Sequence, residues 1–400
     1  MAKRTLHDLP DLSNKRVLVR VDFNVPLEAD GTIANDRRIR AAVPTIRQIL
    51  QAQGKAIVMS HLGRPKGDPV KDAPFKLERV ARRLGELLQV PVHASPEVVG
   101  PTTTRLAEAL QPGEVLVLEN LRFHPGEQAG DEAFARELAA LADVYVNDAF
   151  GTCHRQDASM VAVPRAMADK PRVVGLLVQK ELEVLDTLLS NPKRPALAVL
   201  GGAKVSDKIG FIKAIMQRVD RVLIGGAMNY TFQKALGRAT GQSRVELDKL
   251  DMARELLQLG GDKIILPVDI LIADKPDATA TTRVVSGDIP DGWEGMDIGP
   301  ETIARYRQII AESATIVWNG PMGKFEDAPF STGTRAVAEA MAQATSTTGA
   351  VTVVGGGETA EAVEDFQLDT QMSHVSTGGG AFLEYVEGTP FAALAQIEDK

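Results

Sequence analysis

Two stretches toward the end of the chain, Ala350–Ala360 (AVTVVGGGETA) and His374–Leu383 (HVSTGGGAFL), each carry a β-branched apolar run into three consecutive glycines and then into residues that can start a helix. This order spells strand, tight loop and helix. Such a loop leaves backbone N–H groups unpaired in front of the positive end of a helix dipole, where phosphate oxygens are attracted. One such junction is as readily a plain close-packing turn; two in one chain point to phosphate handling. Gly355–Ala360 matches the pattern G-x-G-x-x-A, yet the next strand candidate ends at Ser376–Thr377 without the acid that would hold a ribose. Neither junction fits the phosphate loop G-x-x-x-x-G-K-[ST]. Phosphate binding survives, while both common nucleotide motifs fail.

At 400 residues the chain exceeds the usual limit for one core, so two domains of about 200 residues each are expected. Aromatic residues make up only 4% and the net charge is −8, which argues against single-stranded or general nucleic acid as a partner. The acidic excess lies in residues 175–400, whereas five of the six histidines lie before it. The less acidic first half suits a strongly anionic small ligand, or reflects ordinary surface variation. A single cysteine, Cys153, excludes an internal disulfide framework and fits a reducing compartment. The start MAKRTLHDLP lacks the apolar core of a signal peptide, and no apolar run is long enough for a bilayer. A soluble, cytoplasmic protein without a membrane partner is therefore expected.

In the first half, β-rich runs at Val17–Val21, Ala56–Met59, Val115–Leu118 and Val144–Val146 alternate with helical candidates near Arg38–Ala52, Phe75–Leu88 and Glu132–Leu141. Alternation of this kind predicts a parallel sheet covered by helices, with ligands beyond the carboxyl ends of its strands. Those ends read Arg20-Val-Asp-Phe-Asn-Val-Pro26, Ser60-His-Leu-Gly-Arg-Pro65, Glu119-Asn-Leu-Arg-Phe-His124 and Asn147-Asp-Ala-Phe-Gly-Thr-Cys-His-Arg155, and Arg38 starts the helix after the first loop. One arginine at a strand end is usually a solvated charge. Arginine joined by aspartate, asparagine or histidine at four ends suits a small ligand bearing carboxylate and phosphate, because the guanidinium fork matches both groups. Asp22 and Asn24 can accept from and donate to its hydroxyls. A histidine among several arginines is held neutral, as a hydrogen-bond partner rather than a base. No histidine pair has metal-ligand spacing such as H-E-x-x-H. Cys153 reads as small buried filler, with a reactive thiol as the alternative.

Val173–Ser190 has near-helical apolar spacing from Leu176, with Gly175 before the helix and Asn191–Pro192 ending it, and predicts a helix joining the halves. A second strand series follows at Leu197–Leu200, Val222–Ile224, Ile264–Leu266, Ile316–Trp318 and Val351–Val354. After the first of these, Leu200-Gly-Gly-Ala-Lys-Val-Ser-Asp-Lys208 leads into an apolar stripe from Ile209 to Val219, so a helix starts near Ser206. Lys204 and Lys208 flank that start, either as solvated charges or as localised positive charge for a moving phosphoryl group. Within Trp318–Glu326 the glycines and prolines exclude regular structure; Asn319 can donate to a nucleotide and Glu326 can accept from ribose hydroxyls. Glu358 is either a dipole-matching carboxylate or a group holding Mg²⁺ near phosphate.

The segments RVDFNVP, SHLGRP, LENLRFH, YVNDAFGTCHR, LGGAKVSDK, WNGPMGKFE, VGGGET and STGGGA occur in this order between Arg20 and Gly388. In this order they resemble the phosphoglycerate kinase family. The resemblance implies an α/β fold of two doubly wound, parallel-sheet (Rossmann-like) domains joined by a hinge helix. Residues 1–174, with a tail from about 389 to 400, would bind phosphoglycerate; 175–190 would form the helix between domains, and 191–388 would bind nucleotide. It further implies reversible transfer of a phosphoryl group from 1,3-bisphosphoglycerate to ADP, giving 3-phosphoglycerate and ATP with Mg²⁺, by a monomer whose domains close about the hinge. Carried over by motif, Asp22, Phe23, Asn24, Arg38, His61, Leu62, Gly63, Arg64, Arg122 and Arg155 would hold the glycerate ligand. Gly202, Lys204, Lys208, Asn319, Glu326, Gly356, Gly357, Glu358 and Thr359 would hold nucleotide, with Glu358 toward the metal. Arg38, Lys204 and Gly379, with the amides around it, would stabilise the phosphoryl in flight.

Three positions depart from the family pattern: Glu358 stands for aspartate, Cys153 for alanine and Phe382 for serine. The added methylene of Glu358 displaces its carboxylate by roughly 1.5 Å. Two other functions fit parts of the sequence. A nicotinamide-dependent dehydrogenase would use Gly355–Ala360, and a non-catalytic nucleotide- or anion-binding protein would keep the pockets without transfer.

Overall fold

The β-branched runs of the first half align side by side in the computed structural model, which describes residues 2–400. Strands β1 (Arg16–Val21), β2 (Lys55–Met59), β3 (Val92–Ala94), β4 (Val115–Val117), β5 (Val144–Asp148) and β6 (Arg172–Val174) form one sheet in the order β3-β4-β2-β1-β5-β6. Every neighbouring pair is parallel. Helices cover both faces of such a sheet, which is why β1 is buried from Val17 to Val21 without polar alternation. The helix Arg37–Gln51 packs Ile39, Ile46 and Ile49 into this core, and Glu78–Leu88 adds Val80, Leu84 and Leu88. Each such side chain contributes roughly 2 kcal/mol of burial. Because the strands share one direction, the segments after β1, β2, β4 and β5 emerge along one edge.

The second half repeats the plan. Its strands are β7 (Ala196–Leu200), β8 (Arg221–Ile224), β9 (Ile264–Ile265), β10 (Ile270–Ala273), β11 (Thr282–Val285), β12 (Glu294–Ile298), β13 (Thr315–Asn319), β14 (Val351–Gly355) and β15 (His374–Val375). Six make a parallel sheet ordered β15-β14-β13-β7-β8-β9, while β11-β10-β12 make a small antiparallel sheet. Trp318, Tyr306 and Met341 anchor the larger sheet's core. The chain divides into one compact unit that runs to Glu183 and takes back Pro390–Lys400, and another from Val184 to Thr389.

Several expectations need correction. The helix read within Val173–Ser190 begins at Leu176, after Gly175 as expected, but Val173 and Val174 complete a strand, β6, against Val146 and Asn147. Gly175 makes the turn between them; a Cβ there would lie 2.2 Å from an Asp148 carboxylate oxygen. Near Ser206 the chain makes one 3₁₀ turn, Ser206–Lys208, before the α-helix Ile209–Met216, so Val219 lies past the helix end. The short strands β3 and β6 and the three-stranded antiparallel sheet were absent from the sequence-based series. Among the described residues no helix is long and apolar enough to cross a membrane.

Candidate functional site

In the first unit, contacts between loops assemble the strand ends. Asp22, just past β1, is buried and ion-paired with Arg38 at the start of the helix Arg37–Gln51. Burial alone would raise its pKa; the Arg38 guanidinium and the other positive groups nearby outweigh that and leave it at about 2. The Phe23 amide donates to Ser60 Oγ at 2.8 Å, and the Gly63 amide donates to Asn24 Oδ1 at 2.8 Å, tying the loops after β1 and β2 together. Asn120, after β4, accepts from the Leu62 amide at 3.1 Å and donates to the Leu62 carbonyl at 2.7 Å. Arg122 donates to the Gly63 carbonyl at 2.6 Å. Gly63 has φ +63° and lies against the Phe75 ring, so no Cβ fits.

His61 is 1% exposed, with Arg20 3.3 Å from Nδ1 and Arg155 3.5 Å from Nε2. Burial, joined by the charges of Arg20, Arg122 and Arg155 and opposed only by Asp22, pushes its pKa down to about 2. The ring is neutral, as expected of a histidine among arginines. Arg122 is itself held below the usual arginine range, first by burial and then by Arg155. Arg64 is exposed beside this group. Asp22, Asn24, Arg38, His61, Gly63, Arg122 and Arg155 thus gather at one edge, whereas Phe23 and Leu62 offer it backbone only, their side chains being core. Cys153 is fully buried and its thiol is pushed up to about 12 by that burial, which favours the filler reading over a reactive thiol.

In the second unit a cleft of about 330 Å³ opens at the carboxyl ends of the parallel strands, lined in part by Gly202, Gly226, Glu326 and Glu358. Its floor is built from backbone in close approach. A Cβ on Gly201 would lie 2.0 Å from the Pro321 carbonyl, and one on Gly226 2.3 Å from the Gly202 nitrogen. Lys208 is buried behind Gly202, with Nζ donating to the Asn319 carbonyl at 3.0 Å and to its side-chain oxygen. Burial lowers its pKa to about 8, against the opposing charges of Glu358 and Asp207. Thr359 Oγ1 accepts from the Gly320 amide at 2.7 Å, joining the loops after β13 and β14.

Gly356 has φ +92° and precedes the helix Gly357–Asp365, with Glu358 exposed in its first turn. Gly379 has φ +51° and precedes the helix Gly380–Val386. Phe382, one of the three departures, is fully buried, its ring 2.6 Å from where a Gly355 Cβ would stand. The aromatic ring fills the space that the glycine leaves. Of the expected nucleotide residues, Gly202, Glu326 and Glu358 line the cleft itself; Lys204, Lys208, Asn319, Gly356, Gly357 and Thr359 do not, and neither does the catalytic candidate Gly379.

The cleft also takes in Gly226, Ala227, Arg244, Glu294, Gly295 and Met296, which sequence reasoning missed. A signal existed for the first pair: Ile224-Gly225-Gly226 repeats the Leu200-Gly201-Gly202 ending. None existed for Glu294–Met296, which arrive on the antiparallel strand β12. Among the described residues no three acidic, histidine or cysteine groups cluster for a metal. Mg²⁺ is content with one or two carboxylates when phosphate and water complete its shell, so the exposed Glu358 in a phosphate-sized cleft is compatible with it.

The family model "Phosphoglycerate kinase" matches residues 6–389. The chain is 52% identical to the phosphoglycerate kinase of Rhodopirellula baltica, and 48% identical to that of Synechococcus elongatus, over the full length of both partners in each case. Among solved structures, phosphoglycerate kinase from Coxiella burnetii aligns at TM-score 0.85 and 39% identity over 98% of each chain. The enzyme from Pyrococcus horikoshii aligns at TM-score 0.85 and 33% identity, over 99% of this chain and 98% of that one. With its glycine-floored cleft and its arginine-lined sheet edge, the chain belongs to the phosphoglycerate kinase family.

Proposed function

We propose that the two sheet edges divide the ligands of the family reaction between them. That reaction is the glycolytic, reversible transfer of a phosphoryl group from 1,3-bisphosphoglycerate to ADP, giving 3-phosphoglycerate and ATP with Mg²⁺. The first edge binds the glycerate ligand through Asn24, Arg38, His61, Arg64, Arg122 and Arg155, with Asp22 holding Arg38 in place. The observation that carries this reading is the convergence of His61, Arg122 and Arg155 with a neutral imidazole among guanidinium groups. The cleft of the second edge binds the nucleotide through Gly202, Lys204, Lys208, Asn319, Glu326 and Gly356–Thr359. Domain roles follow: 1–174 with 389–400 for glycerate, 191–388 for nucleotide, and 175–190 as the helix between.

Transfer of this kind needs positioning and charge stabilisation rather than a protein nucleophile. Arg38, Lys204 and the amides at Gly379 neutralise the phosphoryl as it moves. Glu358 would hold Mg²⁺, directly or through water, and the ion supplies charge neutralisation at the nucleotide phosphates. The buried thiol of Cys153 and the neutral His61 take no part as nucleophile or acid. We further read the protein as a cytoplasmic monomer without nucleic-acid partners; its single cysteine supports the compartment, and its net charge of −8 and sparse aromatics support the last point.

A coupled assay with and without Mg²⁺ tests the whole reading: activity should need the ion and both substrates, and NADH should not bind at Gly355–Ala360. Glu358→Gln should weaken Mg·nucleotide binding several-fold while sparing 3-phosphoglycerate. An unchanged metal dependence in that variant would leave Glu358 as a helix-dipole group only.

A further inference from the structure

Arg20 leaves the sheet edge for the interior. It is 0% exposed, and each of its three guanidinium nitrogens has a partner. Nε donates to Ser159 Oγ at 2.8 Å, one terminal nitrogen donates to the Val21 carbonyl, and the other faces His61 Nδ1 at 3.3 Å. Ser159 in turn donates its hydroxyl to Glu127 Oε1 at 2.6 Å and its amide to Oε2 at 3.0 Å. Glu127 is also 0% exposed, so the fixed cation and the fixed anion balance each other behind the histidine.

We propose that Arg20 is a positioning residue that fixes His61 as the neutral tautomer protonated at Nε2, so that this N–H, paired with Arg155, is presented to one oxyanion of the glycerate ligand. The proposal deepens the reading of this edge as the phosphoglycerate site and rests on it. A guanidinium can only donate, and a neutral imidazole has one ring nitrogen that accepts. Arg20 and Arg155 face different nitrogens of the same ring, so both cannot be satisfied by it. Arg20 is immobilised by Ser159 and Val21 in a dry interior, where N–H facing N–H would leave a buried donor unpaired at substantial cost. Arg155 is only partly buried, so an N–H of its own left without the ring can turn to water. The accepting lone pair therefore belongs at Nδ1 and the proton at Nε2. There it faces the Arg155 guanidinium, and with Arg155 turned aside the two donors are satisfied together by a single anionic oxygen between them.

The decisive measurement is ¹⁵N NMR of histidine-labelled protein at neutral pH without ligand, with the His61 signals assigned by their loss in a His61 variant. The expected spectrum has an unprotonated Nδ1 and a protonated Nε2. An Nδ1-protonated ring, a tautomer mixture or an imidazolium would overturn the proposal, whether or not 3-phosphoglycerate binds. If the expected tautomer is found but its signals ignore added 3-phosphoglycerate, the presentation to ligand falls and the site reading with it. Arg20→Lys, which shortens the donor, should shift the ring toward a mixture and raise KM for 3-phosphoglycerate about tenfold, the loss expected for one charge-assisted hydrogen bond. Should that variant fail to fold, a second pair decides. His61→Gln carries an amide N–H near the Nε2 position and His61→Asn near Nδ1, so the glutamine variant should bind 3-phosphoglycerate about tenfold more tightly than the asparagine variant. Equal losses would remove the Nε2–H donor.

Discussion

Arg38 illustrates how one residue carries two burdens. It is the charge that holds Asp22 ionised in a buried position, and it is the guanidinium proposed to meet the transferring phosphoryl. Asp22 has a folded pKa of about 2, below its ordinary 3.8, so it contributes stability above pH 3.8 that is lost as pH falls toward about 2. The contribution is on the order of 2 kcal/mol. Arg38→Ala should therefore lower turnover by about 10²–10³-fold, the size of losing one transition-state donor, and lower thermal stability as well. Nucleotide affinity should change far less. Steady-state kinetics and calorimetry separate the effects, and equal losses in turnover and nucleotide binding would contradict the transition-state role. The grouping of Arg38, His61, Arg122 and Arg155 was legible in the sequence because the last three each follow a β-rich run, Arg38 starts the helix after the first loop, and parallel strands send their ends one way. The Asp22–Arg38 pair and the burial of Arg20 were not, since charge in a sequence does not say which groups lose their water.

At the scale of elements, the helix Leu176–Ser190 is fixed at its start by Asp148 on β5, whose Oδ1 accepts from the Leu177 amide at 2.9 Å while Oδ2 finds no partner. Burial pushes this carboxyl up to about 7, against the hydrogen bonds from Thr45 and the helix amides. A folded pKa above the ordinary 3.8 means that the stabilising contribution is fully present below pH 3.8 and lost as pH rises through about 7. The slope amounts to something on the order of 4 kcal/mol across that window. Asp148→Asn, which keeps the accepting oxygen and removes the titration, should unfold in denaturant with a flatter pH dependence from pH 4 to 7; an unaltered slope would mean that another group dominates. The start of this helix was legible from Gly175, whereas the strand before it was not, because Val173 and Val174 are as apolar as the helix that follows and only their pairing with β5 marks them as strand. Two of the glycine junctions were easier, since triple glycine after a strand occurs twice in the chain, while Gly225-Gly226 was passed over. Gly226→Ala should confirm their packing role: its Cβ would meet the Gly202 backbone at 2.3 Å, so nucleotide affinity should fall at least tenfold through displacement of the cleft floor. A wild-type affinity would show that the floor has slack.

For the whole molecule, the same doubly wound plan is built twice, and the proposed reading gives each copy one ligand at its strand-end edge. The repeat was readable because two series of β-rich runs alternate with helical stretches. The small antiparallel sheet was not, because β11 is largely exposed and lacks an apolar face to mark it. The antiparallel strand β12 supplies Glu294 and Met296 to the cleft, so the incomplete site and the incomplete fold have a common origin. Two separate edges make a thermodynamic claim. Groups that share no partner contribute independently to binding, whereas the reaction needs both ligands at once. Arg122→Ala, within the first unit, should weaken 3-phosphoglycerate at least tenfold, as expected for a lost charge-assisted contact, and leave the Kd of Mg·ADP within about twofold. Lys208→Met, within the second unit, should do the reverse, and both should depress kcat/KM. Isothermal titration of each ligand against each variant gives four numbers. If Arg122→Ala weakened Mg·ADP as much as 3-phosphoglycerate, the assignment of one ligand to each sheet edge would fail, because a local loss on one core would then be felt undiminished on the other.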